Sequence, residues 1–360
     1  MVSGIFLSIL FLSLILPSLN AVTSRKDALI SFIYDCKAEL GFKNTPTTSE
    51  STLEATFQAL YILKAYNRLG EIDSAPIIEF VNNCRNEDHG YGNTIGSNST
   101  IFATYYALWI TNLFDVVLDN DTDDWIAMLY NETSGFSAQI NASGSLYATY
   151  FGLEALYINS TNLSQFNLST WLLGRQNTDS SSDNYGGFAT DGNNSNLWAT
   201  WAAMGSIDRL NISGGFLIEP LVSWINQSQN LNIYEDSYGA FGSKPSENDY
   251  SLLHTYAAIY SLQKLGETYL SRINLDAALN WILDLQNKDG GFRVSSPDAD
   301  STLSAIYYAF CALDLAGERG RLLNDVPWEY KFQMPLWLWI LIGVAIAITA
   351  IILIKKYYMY

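Results

Sequence analysis

Trp281-Ile-Leu-Asp-Leu-Gln-Asn-Lys-Asp-Gly-Gly-Phe292 is the clearest copy of an element that recurs six times along the chain. Its opening aromatic returns at Phe32, Phe80, Trp125, Trp171 and Trp224, and its glycine break returns as Gly41-Phe42, Gly90-Tyr91, Gly135-Phe136, Gly187-Phe188 and Gly239-Ala-Phe241. After each break comes a nine-residue segment that aligns without gaps. The copies start at Thr52, Thr100, Ser145, Asn196, Ser251 and Thr302, and "TIFATYYAL" from Thr100 is typical. Ser, Thr and Asn are helix N-caps, so each segment opens a helix. The fourth position is Ala in five copies, with His254 as the exception, and the eighth is Ala or Gly in all six. Positions four apart share a helix face, so a stripe of small residues lets neighbouring helices approach closely. A period of about 50 residues means stacked hairpins, none of which buries its apolar face alone.

The second helices are apolar nearly all round and read as an inner layer, while the more charged first helices read as an outer one. The expected fold is all-α: six helical hairpins closed into an α/α toroid, with an open superhelix of the same hairpins as the alternative. Residues 22–319 are assigned to it.

Both ends of the chain read as membrane signals. Residues 4–16 are apolar and lead into Pro17-Ser-Leu-Asn-Ala21. This pattern predicts a signal peptide over residues 1–21, with an uncleaved anchor as the alternative because the basic start is missing. Residues 335–354 carry no charge and are long enough to cross a bilayer as a helix. Lys355 and Lys356 follow, which places residues 355–360 in the cytoplasm and the toroid outside a single-pass membrane protein. Trp328, Tyr330, Phe332, Trp337 and Trp339 supply an aromatic belt, and residues 320–334 are a juxtamembrane linker. Sequons at Asn98, Asn120, Asn131, Asn141, Asn159, Asn162, Asn167, Asn193, Asn211 and Asn226 fit an exported glycoprotein. The net charge of −17, with 19 Lys and Arg, argues against nucleic acid as a partner. Cys36 and Cys84 hold equivalent repeat positions and are a candidate disulfide outside the cell.

Gln286-x-x-x-Gly290-x-Phe292 after Trp281 resembles the glutamine–tryptophan repeat of squalene and oxidosqualene cyclases, with Phe in place of the last Trp. The break and following helix also resemble the β subunits of protein prenyltransferases. Both families are α/α toroids, and the likeness runs from about Ala28 to Gly317. It implies fold more than activity, because sites are grafted on folds. Prenyltransferases hold zinc through Asp, Cys and His. The resemblance puts His254 on the His position, but Ser195 and Leu197 stand where Asp and Cys belong, so neither zinc nor any other cofactor is expected. Cyclases protonate an alkene with an Asp-x-Asp-Asp motif. Here Asp298-Ala-Asp300-Ser-Thr302 lacks the last acid and occupies an ordinary capping segment. The acidic run Asp119–Asp124 lacks the Gly and Glu of a calcium loop. With His89 and His254 as the two histidines, a His-dependent triad has few ways to form.

Two functions follow. The first is a membrane-anchored toroid that binds a partner, or an apolar or glycan ligand in its central cavity, without chemistry. Its ligand contacts are placed at Tyr147, Trp198 and His254, in the first turns of inner helices. The second is a transferase, cyclase or hydrolase, whose candidate catalytic residues are Asp300, Asp249, Glu154 and Glu54.

Overall fold

The computed structural model describes residues 23–116, 121–192, 194–295 and 299–328, with residues 350 and 353. The proposed signal peptide lies outside the described residues, as does the proposed transmembrane segment apart from residues 350 and 353. Among the described residues, no helix is long and apolar enough to cross a membrane. Residues Arg25–Asn324 form one compact unit. In the separate terminal unit, Ser24 pairs with Asp325 in an antiparallel bridge, and the Val326 N–H donates to the Thr23 carbonyl at 3.1 Å.

Inner and outer helices alternate through the compact unit. The outer helices are α1 (Arg25–Asp35), α3 (Ser74–Asn83), α5 (Asp121–Met128), α7 (Ser169–Leu173), α9 (Ile218–Gln227) and α11 (Leu275–Asp284). The inner helices are α2 (Leu53–Ala65), α4 (Ile101–Leu113), α6 (Leu146–Ile158), α8 (Leu197–Arg209), α10 (Leu252–Leu265) and α12 (Leu303–Leu315). Every inner helix is capped by the expected residue: the side chain of Thr52, Thr100, Ser145, Asn196, Ser251 or Thr302 accepts the backbone N–H three residues on. A short hairpin, β1 (Tyr130–Asn131) paired with β2 (Gly135–Phe136), forms the break of the third copy.

Each inner helix packs on the next, and α12 packs on α2, so the ring closes rather than winding open. The bonds at the closing joint repeat those within the ring. The Leu53 N–H donates to the Asn93 carbonyl at 2.9 Å and that of Leu252 to Val294 at 2.8 Å; at the closure, that of Leu303 donates to Asn44 at 2.8 Å. The motif glutamine is a staple between copies. Gln229 Nε2 donates to the Gly239 carbonyl of its own break and to the Asn274 carbonyl before α11, while its Oε1 accepts the Asn274 N–H. Gln286 does the same across the joint, donating to Gly290 and to the Arg25 carbonyl. Gly290 has φ +90°, and a Cβ there would stand 2.1 Å from the Ala28 carbonyl oxygen, so only glycine lets the last break reach the first outer helix.

The break aromatics Phe42, Tyr91, Phe136, Phe188, Phe241 and Phe292 are all fully buried. In five copies the aromatic's N–H is accepted by a threonine at the fifth helix position: Phe42 by Thr56, Tyr91 by Thr104, Phe136 by Thr149, Phe188 by Thr200 and Phe241 by Thr255, at 2.9–3.1 Å. The sixth copy has Ile306 there and forfeits this bond.

The expected disulfide is corrected. Cys36 and Cys84 are free thiols, both fully buried. Both thiols are packed into the hydrophobic core, where buried cysteines are inert. Burial pushes both thiols up to about 12, so they stay protonated.

Candidate functional site

The site is built by a helical stripe that runs through all six inner helices. The sixth position is aromatic in every copy: Phe57, Tyr105, Tyr150, Trp201, Tyr256 and Tyr307. Neighbouring rings meet across the centre, with centroids 5.5 Å apart for Phe57 and Tyr105, 5.4 Å for Phe57 and Tyr307, and 4.7 Å for Tyr150 and Trp201. Most of these contacts are tilted or edge-on, the geometry that ring quadrupoles favour. Together the rings make a floor across the toroid.

Above the floor is a cavity of about 720 Å³ that opens where the inner helices end. One turn beyond the floor, the tenth position supplies walls: Tyr61, Trp109, Glu154, Tyr260 and Cys311. The fourth copy has Gly205 there, because a Cβ would come within 2.5 Å of the Tyr150 ring and 2.9 Å of the Tyr260 hydroxyl. The thirteenth position forms the rim through Asn112, Tyr157 and Asp314. Burial raises the hydroxyls of Tyr105, Tyr150, Tyr256 and Tyr307 well above the ordinary tyrosine range, so the floor is neutral at physiological pH. Burial also raises the Cys311 thiol.

The cavity holds one ion pair with its charges shielded. Arg209 donates from Nε to Glu154 Oε1 at 2.8 Å and from Nη2 to Oε2 at 2.7 Å, a bidentate fork. The guanidinium also lies 3.8 Å from the Tyr157 ring centroid. Side-chain exposure is 24% for Arg209 and 13% for Glu154. Burial raises the Glu154 carboxyl while the Arg209 charge and hydrogen bonds pull it back.

Of the four candidate acids, Glu154 alone lines this cavity. Glu54 is in the first turn of α2, near the other end of the ring, and accepts Gln58 Nε2 at 3.1 Å. Asp249 is exposed and holds the Ser243 N–H at 2.7 Å. Asp300 is exposed, whereas a carboxylic acid kept neutral for proton donation needs burial; Thr302 does the capping. The predicted ligand contacts also lie outside the cavity. Trp198 stacks on the Trp201 floor ring at 4.4 Å from the other side, Tyr147 donates to Asn196 Oδ1 at 3.4 Å, and His254 Nδ1 meets the Asp249 carbonyl at 3.1 Å. First-turn residues lie below the floor, and the cavity is above it. The floor tyrosines are among the aromatics that crowd the inner helices in the sequence, but Arg209 and the wall and rim residues Tyr61, Trp109, Tyr157 and Tyr260 were missed. The signal was present in the aromatic sixth position, extended one and two turns further along each helix.

The zinc set does not fit. Ser195 and Leu197 are both fully buried, and Leu197 offers no donor. Among the described residues, no group of three His, Cys, Asp or Glu side chains could share a metal ion.

The sequence matches the profile of the prenyltransferase alpha-alpha toroid domain over residues 2–189, 113–243 and 189–330, and the chain belongs to that family. No curated protein sequence matches it. Its fold is similar to protein geranylgeranyltransferase-I from Candida albicans, solved in complex with GGPP, at TM-score 0.66 and 16% identity over 84% of this chain and 93% of that one. It is also similar to a type II terpene cyclase from Scytonema, at TM-score 0.52 and 12% identity over 82% and 97% of the two chains. A protein from Actinoplanes aligns at TM-score 0.52 and 13% identity, over 81% and 98%. At these identities the likeness is one of fold.

Proposed function

We propose that this chain is a membrane-anchored toroid displayed outside the cell, which holds a small, largely apolar ligand in its aromatic cavity and performs no chemistry on it. The observation that carries the reading is the Arg209 fork on Glu154. The one candidate acid in the cavity is occupied by a cation on both oxygens, so it is free neither to donate a proton nor to attack a ligand above the tyrosine floor. Hydrolysis would need two free carboxyls across the cavity; Asp314 lines the rim, but Glu154 is held by Arg209 on both oxygens. The rings suit apolar ligand surface, and the tyrosine hydroxyls can orient a polar end. The anchor rests on the uncharged stretch at residues 335–354 with Lys355 and Lys356 behind it, and the outside placement on that polarity and the sequons.

Native mass spectrometry of the full-length chain released from its own membranes tests the ligand. A small molecule should co-purify with wild type and be lost from Trp109→Ala, in which a cavity wall is removed. An empty wild-type cavity, or a bound species converted to product over time, ends the reading. Protease added to intact cells should remove the toroid and spare the C-terminal tail.

A further inference from the structure

The cavity mouth carries two of the sequons. Asn159 is the C-cap of α6, and its neighbours Tyr157, Ser160 and Thr161 line the cavity. Asn211 follows α8 two residues after Arg209, which lines the cavity from the adjacent copy. Two residues of chain span at most about 7 Å, so Asn211 sits beside the Glu154–Arg209 corner of the rim. Both asparagines are exposed. We propose that Asn159 and Asn211 are N-glycosylated and that their glycans fringe this mouth, admitting small molecules and turning away polypeptide. The inference rests on the exported reading above and adds the class of ligand that the site can take.

The local geometry accepts the modification. Asn159 Nδ2 donates to Asp123 Oδ1 at 2.6 Å, and the sequon hydroxyl of Thr161 donates to Asp123 Oδ2 at 2.9 Å. Glycosyl transfer breaks the bond between the glycan C1 and a phosphate oxygen of a lipid-phosphate donor, and forms the bond from C1 to Nδ2. The carrier leaves as its phosphate, and Nδ2 gives up one of its two hydrogens. The remaining N–H can keep its bond to Asp123, so the attachment point stays fixed against the rim. Asn211 has φ +53° and stands in the turn that leaves α8.

The distribution of sequons makes this a fringe rather than a plug. All ten lie between Asn98 and Asn226, in the second to fifth copies, and the copies that meet at the ring closure carry none. The rim opposite the corner, at Asp314 and Leu315, is therefore bare, and a small ligand has a path past the sugars. A polypeptide entering the same mouth would meet both glycans.

The test uses full-length protein purified from its native host. Glycopeptide mass spectrometry should find sugars on Asn159 and Asn211. Access is read with a cysteine placed on the half-buried cavity wall, Tyr61→Cys in a Cys311→Ser background, with Cys311→Ser alone as the blank. Enzymatic deglycosylation should speed labelling by a maleimide on a long polyethylene glycol chain several-fold and leave the rate with N-ethylmaleimide unchanged. Asn211→Gln should give part of the gain. Sugars on other sequons but on neither of these two would overturn the inference alone, as would unchanged labelling by the long reagent. No sugar on any sequon would overturn the exported reading as well.

Discussion

At their first turns the six inner helices agree at every position but the third, with His254 as a further exception, and at their last turns no such agreement remains. The first turn repeats a cap, a fully buried aliphatic, and a threonine that accepts the N–H of the break aromatic in five copies. The sixth position is still uniformly aromatic. By the tenth the copies read Tyr61, Trp109, Glu154, Gly205, Tyr260 and Cys311, and by the thirteenth Lys64, Asn112, Tyr157, Asp208, Gln263 and Asp314. A closed ring imposes one packing problem six times over, so the residues that solve it repeat. A ligand breaks that symmetry, so the residues that meet it differ from copy to copy.

If the first-turn end is the structural one, the largest loss should come from there. Phe292→Ala removes a fully buried ring at the closing joint, and should cost about 3–5 kcal/mol in urea unfolding. Asp314→Asn on the rim should stay within roughly 0.5 kcal/mol. Similar losses for the two would erase the distinction.

The same distinction explains what could be read in the sequence. Caps, glycine breaks, the inner and outer layers and the ring itself follow from positions that agree across copies, because agreement is what alignment of the copies detects. The ligand contacts were placed at Tyr147, Trp198 and His254 because the first turns of the inner helices were expected to border the cavity mouth. Trp198 instead backs the floor by stacking on Trp201. Which end of the ring is open depends on side-chain volume summed over six helices, and no single copy displays that. Arg209 was invisible for the same reason: its partner Glu154 is 55 residues away, in the neighbouring copy.

The ion pair is the exception that tests the scheme, since it is unrepeated yet partly buried. Arg209→Met leaves Glu154 without its partner in a desolvated place, and should cost about 3 kcal/mol at neutral pH. The sign of the pH dependence follows from the carboxyl. Burial already holds Glu154 above its ordinary value, so the folded state keeps a proton that the unfolded state has released, and this contribution is lost as pH rises. Without Arg209 the rise is larger. The variant should therefore approach wild type in acid and fall behind as pH climbs from about 4.5 towards neutrality. A deficit that is constant with pH would mean that packing on Tyr157, not charge, is what Arg209 supplies.

A smaller effect belongs to the repeated bond. Thr255→Val keeps shape but removes the acceptor of the Phe241 N–H, which should cost about 1–2 kcal/mol. The natural Ile306 shows that one copy of the six tolerates the loss, so the same change at Thr104 or Thr200 should fall in the same range. A negligible cost at all three would make the threonine a packing residue only.

His254 should give the smallest effect, and it asks whether a first-turn exception to the repeat has any ligand role. Burial lowers its pKa against the opposing pull of Asp249, so the imidazole is neutral in the folded protein where the unfolded chain would charge it. A depressed histidine contributes stability above its unfolded pKa and loses it as pH falls through and below that value. His254→Asn removes the titration. The variant should therefore be slightly less stable than wild type at pH 8, where the bond from Nδ1 to the Asp249 carbonyl is intact, and should gain on wild type as pH drops below about 6.5. Ligand recovered in native mass spectrometry should be the same for both, because the aromatic floor stands between this side chain and the cavity. Loss of ligand in His254→Asn with stability unchanged would move the site to the capped end of the helices and reverse the comparison drawn above.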